Sequence, residues 1–472
     1  MKKKKGGDTV LPQPFLSRME RLLGEDYPRF LAAYDMPAAR GLHAGLAKIA
    51  SEDLAALLGD AVRPTPFAED CFYYLAAGTV GGNPLHHAGA FYMQEPSAML
   101  PVVCLEVEPE ERVLDLCAAP GGKSTEIANR LAGRGVLVAN EYVTSRSVIL
   151  AGNLERMGVT NAVVTNADAE TVAKTYPAFF DAVLVDAPCS GEGLFRREPA
   201  AVSEWSEESV RACAERQRQI LDSASETVRP GGRLVYSTCT FSVEENEETV
   251  LYFLARHPDF SLEKVPESVE GVTVAAYAVS EEPLAKEVAR YARRAYPHTA
   301  PGEGQFMAKF VRATGAPIPA RNKKKGRDAA DAVPLTNEEE KAWKAFLTGA
   351  GIDPRTLPAP LRFKDGISLL AEDIPLVPKQ TYARGVYAGT VEKGRLVPGH
   401  YLFSAYGKHF ARKLELSPTD PRLGAYLRGE TIPCDLPDGW AVVTVAGCPL
   451  GGIKVVSGTA KNHYPKGLRL RQ

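Results

Sequence analysis

From Arg112 onward the chain repeats one unit: a short apolar run, a turn of small or polar residues, then an amphipathic stretch. The apolar runs cover residues 113–116, 135–139, 162–165, 182–185 and 233–236, and 306–311 adds a closing run. Helical spacing fills 124–131, 146–157 and 206–228. Runs this short and this apolar suit strands buried on both faces, and strand alternating with helix implies a parallel sheet covered on both sides. The expected fold class is therefore α/β, with a Rossmann-like sheet. In such sheets ligands bind beyond the carboxyl ends of the strands.

At 472 residues the chain exceeds one ordinary core, so several domains are expected. Residues 11–49 read as helical, with Phe15, Met19, Leu22 and Leu23 at helical spacing until Pro37 interrupts. The expected division is a helical and mixed region over 8–89, the α/β domain over 90–313, and a linker over 314–334 that contains a lysine run at 323–325. A small region over 335–378 with a helix at 338–347 follows, then a β-rich module over 379–472 with strand-like runs at 401–403, 441–445 and 453–456.

Composition narrows the setting. No apolar run is long enough to cross a bilayer, and the basic residues 1–7 are not followed by the apolar stretch of a secretory leader. Eight cysteines lack CxxC spacing, which argues against a disulfide scaffold and a zinc site; a cytoplasmic, metal-free monomer is expected. Residues 379–472 hold fourteen Lys and Arg against six Asp and Glu. That net of +8, in a chain whose total is −2, leaves −10 on the remainder and suits an anionic partner.

The residues just after each run carry the chemistry. After the first come Cys117, Ala118, Ala119, Pro120, Gly121, Gly122 and Lys123, a turn that brings backbone close to a ligand and aims helix N–H groups at it. It has neither the spacing of a dinucleotide fingerprint nor that of a phosphate loop. Glu141 follows the second run, placed to accept from ribose hydroxyls, and Asp168 follows the third, placed to accept from an adenine amino group. Isolated acids at loop tips are usually only solvated, but three strand ends in register describe a pocket for an adenosine-containing cofactor. The fourth run leads into Asp186-Ala187-Pro188-Cys189 and the fifth into Ser237-Thr238-Cys239. Lone cysteines such as Cys71, Cys104 and Cys213 are most simply buried hydrophobes. Two at neighbouring strand ends are harder to dismiss.

A thiolate beside an S-adenosylmethionine pocket suits cytosine methylation. Carbon 5 of cytosine is a weak nucleophile until a thiolate adds to carbon 6; methyl transfer, loss of the carbon 5 proton and expulsion of the thiol then follow. A reactive thiolate, an electrostatic partner for the ring and a base are needed. Cys239, Asp186 and Cys189 are the candidates.

These segments resemble the signatures of Nol/Nop/Sun-type RNA (cytosine-5) methyltransferases. The resemblance implies Cys239 as the nucleophile and Cys189 as the thiol that resolves the adduct. It also implies a cofactor and base site built from Cys117–Lys123, Glu141, Asp168 and Asp186. Arg146, Asn153 and Arg156 read as structural. Residues 94–99 resemble the lead into the catalytic domain. The tail, ending at residues 461–469, resembles the bacterial RsmF type, whose PUA-like module binds RNA; small-subunit ribosomal RNA is then the expected partner. Relatives often carry Arg-Val-Asn where Arg40-Gly41-Leu42 stands here, a departure that touches the N-terminal RNA contacts rather than the chemistry. Transfer RNA is the nearest rival substrate, and a non-catalytic ribosome assembly factor is the rival of another class. A DNA cytosine methyltransferase would place its nucleophile in the Pro-Cys segment, and a small-molecule enzyme would leave the basic tail unexplained.

Overall fold

The computed structural model describes residues 11–470 except 79, 318–331 and 373. The lysine runs at 1–7 and 323–325 lie outside the described residues.

The centre is a ten-stranded sheet. Its strands are β1 (Arg112–Asp115), β2 (Val136–Asn140), β3 (Ala162–Thr165), β4 (Phe180–Asp186), β5 (Val228–Thr238) and β6 (Gln305–Arg312), with shorter strands at both edges. Their order across the sheet is β6-β5-β4-β1-β2-β3. β1 to β5 pair in parallel, and β6 closes antiparallel on β5. Almost every residue of β1 to β3 is buried because helices cover both faces, which explains the unbroken apolar runs. The chain leaves β1 toward β2 on one side and later returns to β4 on the other. The crevice above β1 and β4 is therefore the switch point where such sheets bind ligands.

The intervening helices are Gly122–Leu131, Thr144–Met157 and Glu207–Thr227, each within a few residues of its expected span. A short helix, Ala169–Thr175, was not anticipated. Ser206 and Ser209 form a reciprocal capping box at the start of the longest one, satisfying N–H groups that a helix start leaves unpaired.

The N-terminal helices are Gln13–Leu23 and Tyr27–Tyr34. The helical reading of 11–49 overran: Gly41–Ala44 is a strand in an antiparallel four-stranded sheet with Val62–Pro64, Cys71–Tyr74 and Phe91–Met93. Phe15, Met19 and Phe30 pack with Phe195, Trp205, Phe241 and Tyr296, so the first helices cover the loops that follow β4 and β5. The Phe15–Phe195 and Phe30–Phe241 rings meet edge-on at 5.0 and 5.5 Å, arrangements worth about 0.5–1.5 kcal/mol each beyond their buried area.

The helix expected at 338–347 spans Asn337–Ala350. Two further sheets follow, one built from Pro360–Phe363, Gly366–Leu369, Val386–Glu392 and Arg395–Pro398, the other five-stranded and centred on Gly439–Val445 and Cys448–Val456. The strand Thr381–Arg384 instead joins the edge of the central sheet beside β3. The strand expected at 401–403 is a correction: these residues lie in the helix His400–Tyr406, whose side chains are buried almost all round. Burial on every side removes the periodicity that separates helix from strand.

Candidate active site

β1 ends at Asp115, and the following turn lines a cavity of about 450 Å³ with Cys117, Ala118, Ala119, Pro120, Gly122 and Lys123. The turn is held from outside. Arg146 Nη2 donates to the Ala119 carbonyl at 2.7 Å and Asn153 Nδ2 to the Pro120 carbonyl at 2.9 Å, the structural roles expected for them. Gly121, at φ +111°, faces Leu150 rather than the cavity, and its backbone conformation is one that L side chains avoid. A Cβ on Gly122 would sit 2.6 Å from Gln94 Oε1, so the close approach there needs glycine.

The other wall comes from residues that the sequence did not single out as ligands. Arg40, Tyr92, Gln94, Asp115, Leu194 and Arg197 all line the cavity. Gln94 lies in the segment recognised as the lead into the catalytic domain; Tyr92 and Asp115 carried no signal of their own. Asp115 Oδ2 accepts from Ser124 Oγ at 2.6 Å, while its Oδ1, like Gln94 Oε1, is buried without a partner among the described residues. Burial lifts the Asp115 carboxyl to about 7, against the lowering effect of Ser124.

Glu141 and Asp168 stand apart from this cavity lining. Glu141 Oε1 accepts from Val143 N at 2.8 Å, and Oε2 pairs with Arg146 at 3.4 Å. Asp168 caps the helix Ala169–Thr175, accepting from Thr171 N and Thr171 Oγ1 at 2.8 and 3.0 Å. The Thr171 N–H holds its carboxyl below the usual range.

Asp186, at the end of β4, joins the cavity to the thiols. Its Oδ2 accepts from Lys123 Nζ at 2.7 Å, and its Oδ1 from Ser237 Oγ at 2.7 Å and Gln305 Nε2 at 3.1 Å. Burial pulls the Lys123 ammonium down, but Asp186, with Cys239 and Asp115, pulls it up, and the net shift is upward. Asp186 lies opposite Ser237 in the parallel register of β4 and β5. That register brings Cys189 and Cys239, three residues past one and two past the other, to a sulfur–sulfur distance of 3.3 Å. Gly193 N donates to the Cys239 carbonyl at 2.7 Å, folding one loop back on the other. The contact with Cys239, then burial, pushes the Cys189 thiol well up.

All eight cysteines are free thiols; Cys71 and Cys104 are buried and Cys213 half-buried. Among the described residues no group of three or more His, Cys, Asp and Glu is arranged to hold a metal ion. No helix among them is long and apolar enough to cross a membrane.

Comparison with known proteins agrees with this geometry. The profile of the family described as 16S rRNA methyltransferase RsmB/F matches residues 102–311. Those of the N-terminal domain of 16S rRNA methyltransferase RsmF and of the methyltransferase RsmF PUA domain match 11–96 and 413–470. Ribosomal RNA small subunit methyltransferase F of Erwinia tasmaniensis is 32% identical, the match covering 97% of this chain and 96% of that protein. Its namesake in Klebsiella pneumoniae is 33% identical with the same coverage. Among solved structures, a methyltransferase homolog protein from Pyrococcus horikoshii is 28% identical with a TM-score of 0.56, covering 64% of this chain and 96% of that one. With similarity running along nearly its whole length, the chain belongs to the 16S rRNA methyltransferase RsmB/F family, in its S-adenosylmethionine-dependent RsmF branch.

Proposed function

We propose that the chain methylates carbon 5 of a cytosine in small-subunit ribosomal RNA through a covalent adduct on Cys239. The observation that carries this reading is the thiol pair at 3.3 Å, joined through Asp186 and Lys123 to the cavity above β1.

The residues present fit the cofactor. S-adenosylmethionine brings an ammonium, ribose hydroxyls and an adenine amino group, and the cavity wall holds two buried acceptors without partners among the described residues, Asp115 Oδ1 and Gln94 Oε1. Residues 117–123 give it close backbone contact, and Glu141 and Asp168 retain free lone pairs for ribose and adenine. The cofactor supplies the methyl group.

The chain's own residues do the rest. The Cys239 thiolate adds to carbon 6 of the base, forming a carbon–sulfur bond and moving electron density onto carbon 5. Asp186 and Lys123 orient the ring and stabilise the charge that develops on it. After methylation a base removes the carbon 5 proton and the carbon–sulfur bond breaks, returning the electron pair to Cys239. Cys189, beside it, assists this release. The base must leave its stack to reach the thiolate, and the PUA module supplies the grip on RNA that this needs.

The test is transfer of labelled methyl from S-adenosylmethionine to 16S rRNA, small subunits and transfer RNA, with denaturing gels for protein–RNA adducts. The expected result is label at cytosine carbon 5 of the ribosomal substrate, loss of transfer by about 10⁴-fold or more in Cys239→Ala, and accumulation of adduct in Cys189→Ala. Binding of RNA with no methyl transferred to any substrate would leave the assembly-factor reading. Label on transfer RNA alone would change the substrate and keep the chemistry.

A further inference from the structure

Behind the thiol pair runs a line of hydrogen bonds that the chemistry above does not use. Ser190 directly follows Cys189, and Thr240 directly follows Cys239. Their hydroxyls meet at 2.9 Å. On its far side Ser190 Oγ lies 2.5 Å from Glu245 Oε1, and Thr240 Oγ1 lies 2.9 Å from Glu192 Oε2. Glu245, Glu192 and Thr240 are buried.

Counting hydrogens fixes the state of this line. Three oxygen–oxygen contacts need three hydrogens, and each hydroxyl carries one. With both carboxyls ionised, Ser190 and Thr240 would direct theirs outward and face each other with bare lone pairs. The third hydrogen therefore sits on a carboxyl. Glu192 already accepts from Trp205 Nε1 at 3.0 Å and Phe241 N at 2.8 Å, besides Thr240. Glu245 Oε2 accepts from Ser190 N at 3.0 Å and Gln217 Nε2 at 2.7 Å, which leaves Oε1, met among the described residues only by the Ser190 hydroxyl, as the place for the proton.

We infer that Glu245 is a positioning residue that works as a neutral carboxylic acid. It donates to Ser190, Ser190 to Thr240 and Thr240 to Glu192, so that Cys189 is fixed beside Cys239, and loss of its proton parts the two loops. The inference rests on the covalent reading of the two cysteines given above.

The surroundings favour the neutral form. Burial, ahead of the lowering contacts with Ser190 and Gln217, raises the carboxyl to about 7, and Glu192 adds to the rise. From the helix Glu207–Thr227 it is faced by Gln217 and Cys213, from β5 by Tyr236, and from the loop after β4 by Cys189 and Glu192. Among the described residues no Lys or Arg pairs with it; Arg218 turns to Glu248 at 3.9 Å.

The experiment follows decay of the protein–RNA adduct from mildly acid to alkaline pH in the full-length enzyme and in Glu245→Gln and Glu245→Ala. An infrared difference spectrum, wild type minus Glu245→Gln, reads the carbonyl band of a protonated carboxyl. Diamide-driven disulfide formation between Cys189 and Cys239, compared among variants at each pH, reads their spacing with no methyl transfer at all. The band is expected at neutral pH and lost on alkalinisation, with wild-type adduct release falling about tenfold per pH unit beyond that point. Glu245→Gln keeps an N–H donor toward Ser190, so it should release adduct as wild type does at neutral pH and lack the alkaline fall; Glu245→Ala should be slow throughout. Absence of the band, or an alkaline fall shared by Glu245→Gln, overturns the inference. A band and a Glu245-dependent disulfide yield without any adduct would instead overturn the covalent reading and keep the proton on Glu245.

Discussion

In the central sheet, β1, β4 and β5 are each followed within a few residues by groups that line the cavity or form the thiol pair. Asp115, Asp186 and Ser237 are the closing residues of their strands or lie next to them; Ser124, from the helix that follows, donates to Asp115, while Lys123, Ser237 and Gln305 all donate to Asp186. In the C-terminal part, the helix His400–Tyr406 is instead held by groups distant in sequence. Tyr401 OH donates to the Val159 carbonyl and Ser404 Oγ to that of Glu155, while Lys48 Nζ donates to Ser404 Oγ at 2.9 Å and to the Pro449 carbonyl at 3.0 Å. The N-terminal and C-terminal sheets even share one core, in which Leu42, Phe72 and Phe91 pack with Leu414, Val443 and Ile453. The contrast teaches that the reaction centre is a property of the sheet's own connections. The seat of the RNA-gripping module is a property of docking.

Five substitutions break or sharpen that contrast. Lys123→Ala strikes the sheet side hardest. It leaves Asp186 partly buried beside the thiols without its cation, and breaking such a pair costs about 3–5 kcal/mol. Methyl transfer under single-turnover conditions should fall by at least about 10²-fold, with the fold kept by circular dichroism. A wild-type rate would remove the Asp186–Lys123 pair from the chemistry.

Lys48→Met strikes the docking side. Its ammonium is buried, pulled down by desolvation to about 7, and serves three acceptors from two segments of the C-terminal part. Loss of those bonds should lower stability by about 2–3 kcal/mol in denaturant titration. Proteolysis should sever the C-terminal module first, while adduct chemistry on a short RNA persists. Equal loss of both functions would mean that docking and chemistry are one unit.

A smaller effect separates Asp115→Asn from wild type as pH changes. The folded-state carboxyl sits at about 7 against an ordinary 3.8, so the folded chain holds this proton more tightly than the unfolded one. The stabilisation is full below the unfolded value and is lost as pH rises through about 7 in the cofactor-free enzyme. Asn should flatten that slope in pH-dependent denaturation; an unchanged slope would show that Asp115 does not titrate there. The smallest effect belongs to Lys461→Ala and Lys466→Ala, both exposed in the module matched by the PUA profile. Each should shallow the salt dependence of RNA binding by about one phosphate contact and leave sequence preference alone. A slope that does not change would place the RNA elsewhere.

How much was legible follows from the same contrast. The sheet could be read because both its faces are buried, which makes each strand a continuous apolar run, and because its ligand-facing groups follow those runs directly. Residues 117–123, Asp186, Cys189 and Cys239 were singled out that way, and the structure gathers them around the cavity and the thiol contact, although Gly121 turns to Leu150. Glu141 and Asp168, singled out the same way, lie at their strand ends but outside the cavity lining, each with its carboxylate engaged locally. Tyr92 and Asp115 escaped notice because an aromatic and a strand-end acid look the same in sequence whether they line a cavity or fill a core. Residues 401–403 were misread because an apolar run of three has no period.

The amino-acid sequence by itself determined the parallel sheet, the order of its turns and the identity of the two thiols, since each depends on residues close together in the chain. Tertiary structure alone decided the 3.3 Å between those thiols, the line from Glu245 to Glu192 behind them, and the docking of His400–Tyr406 through Lys48. Those contacts join residues up to hundreds of positions apart, and their geometry is set by strand register and side-chain packing, which no local pattern encodes.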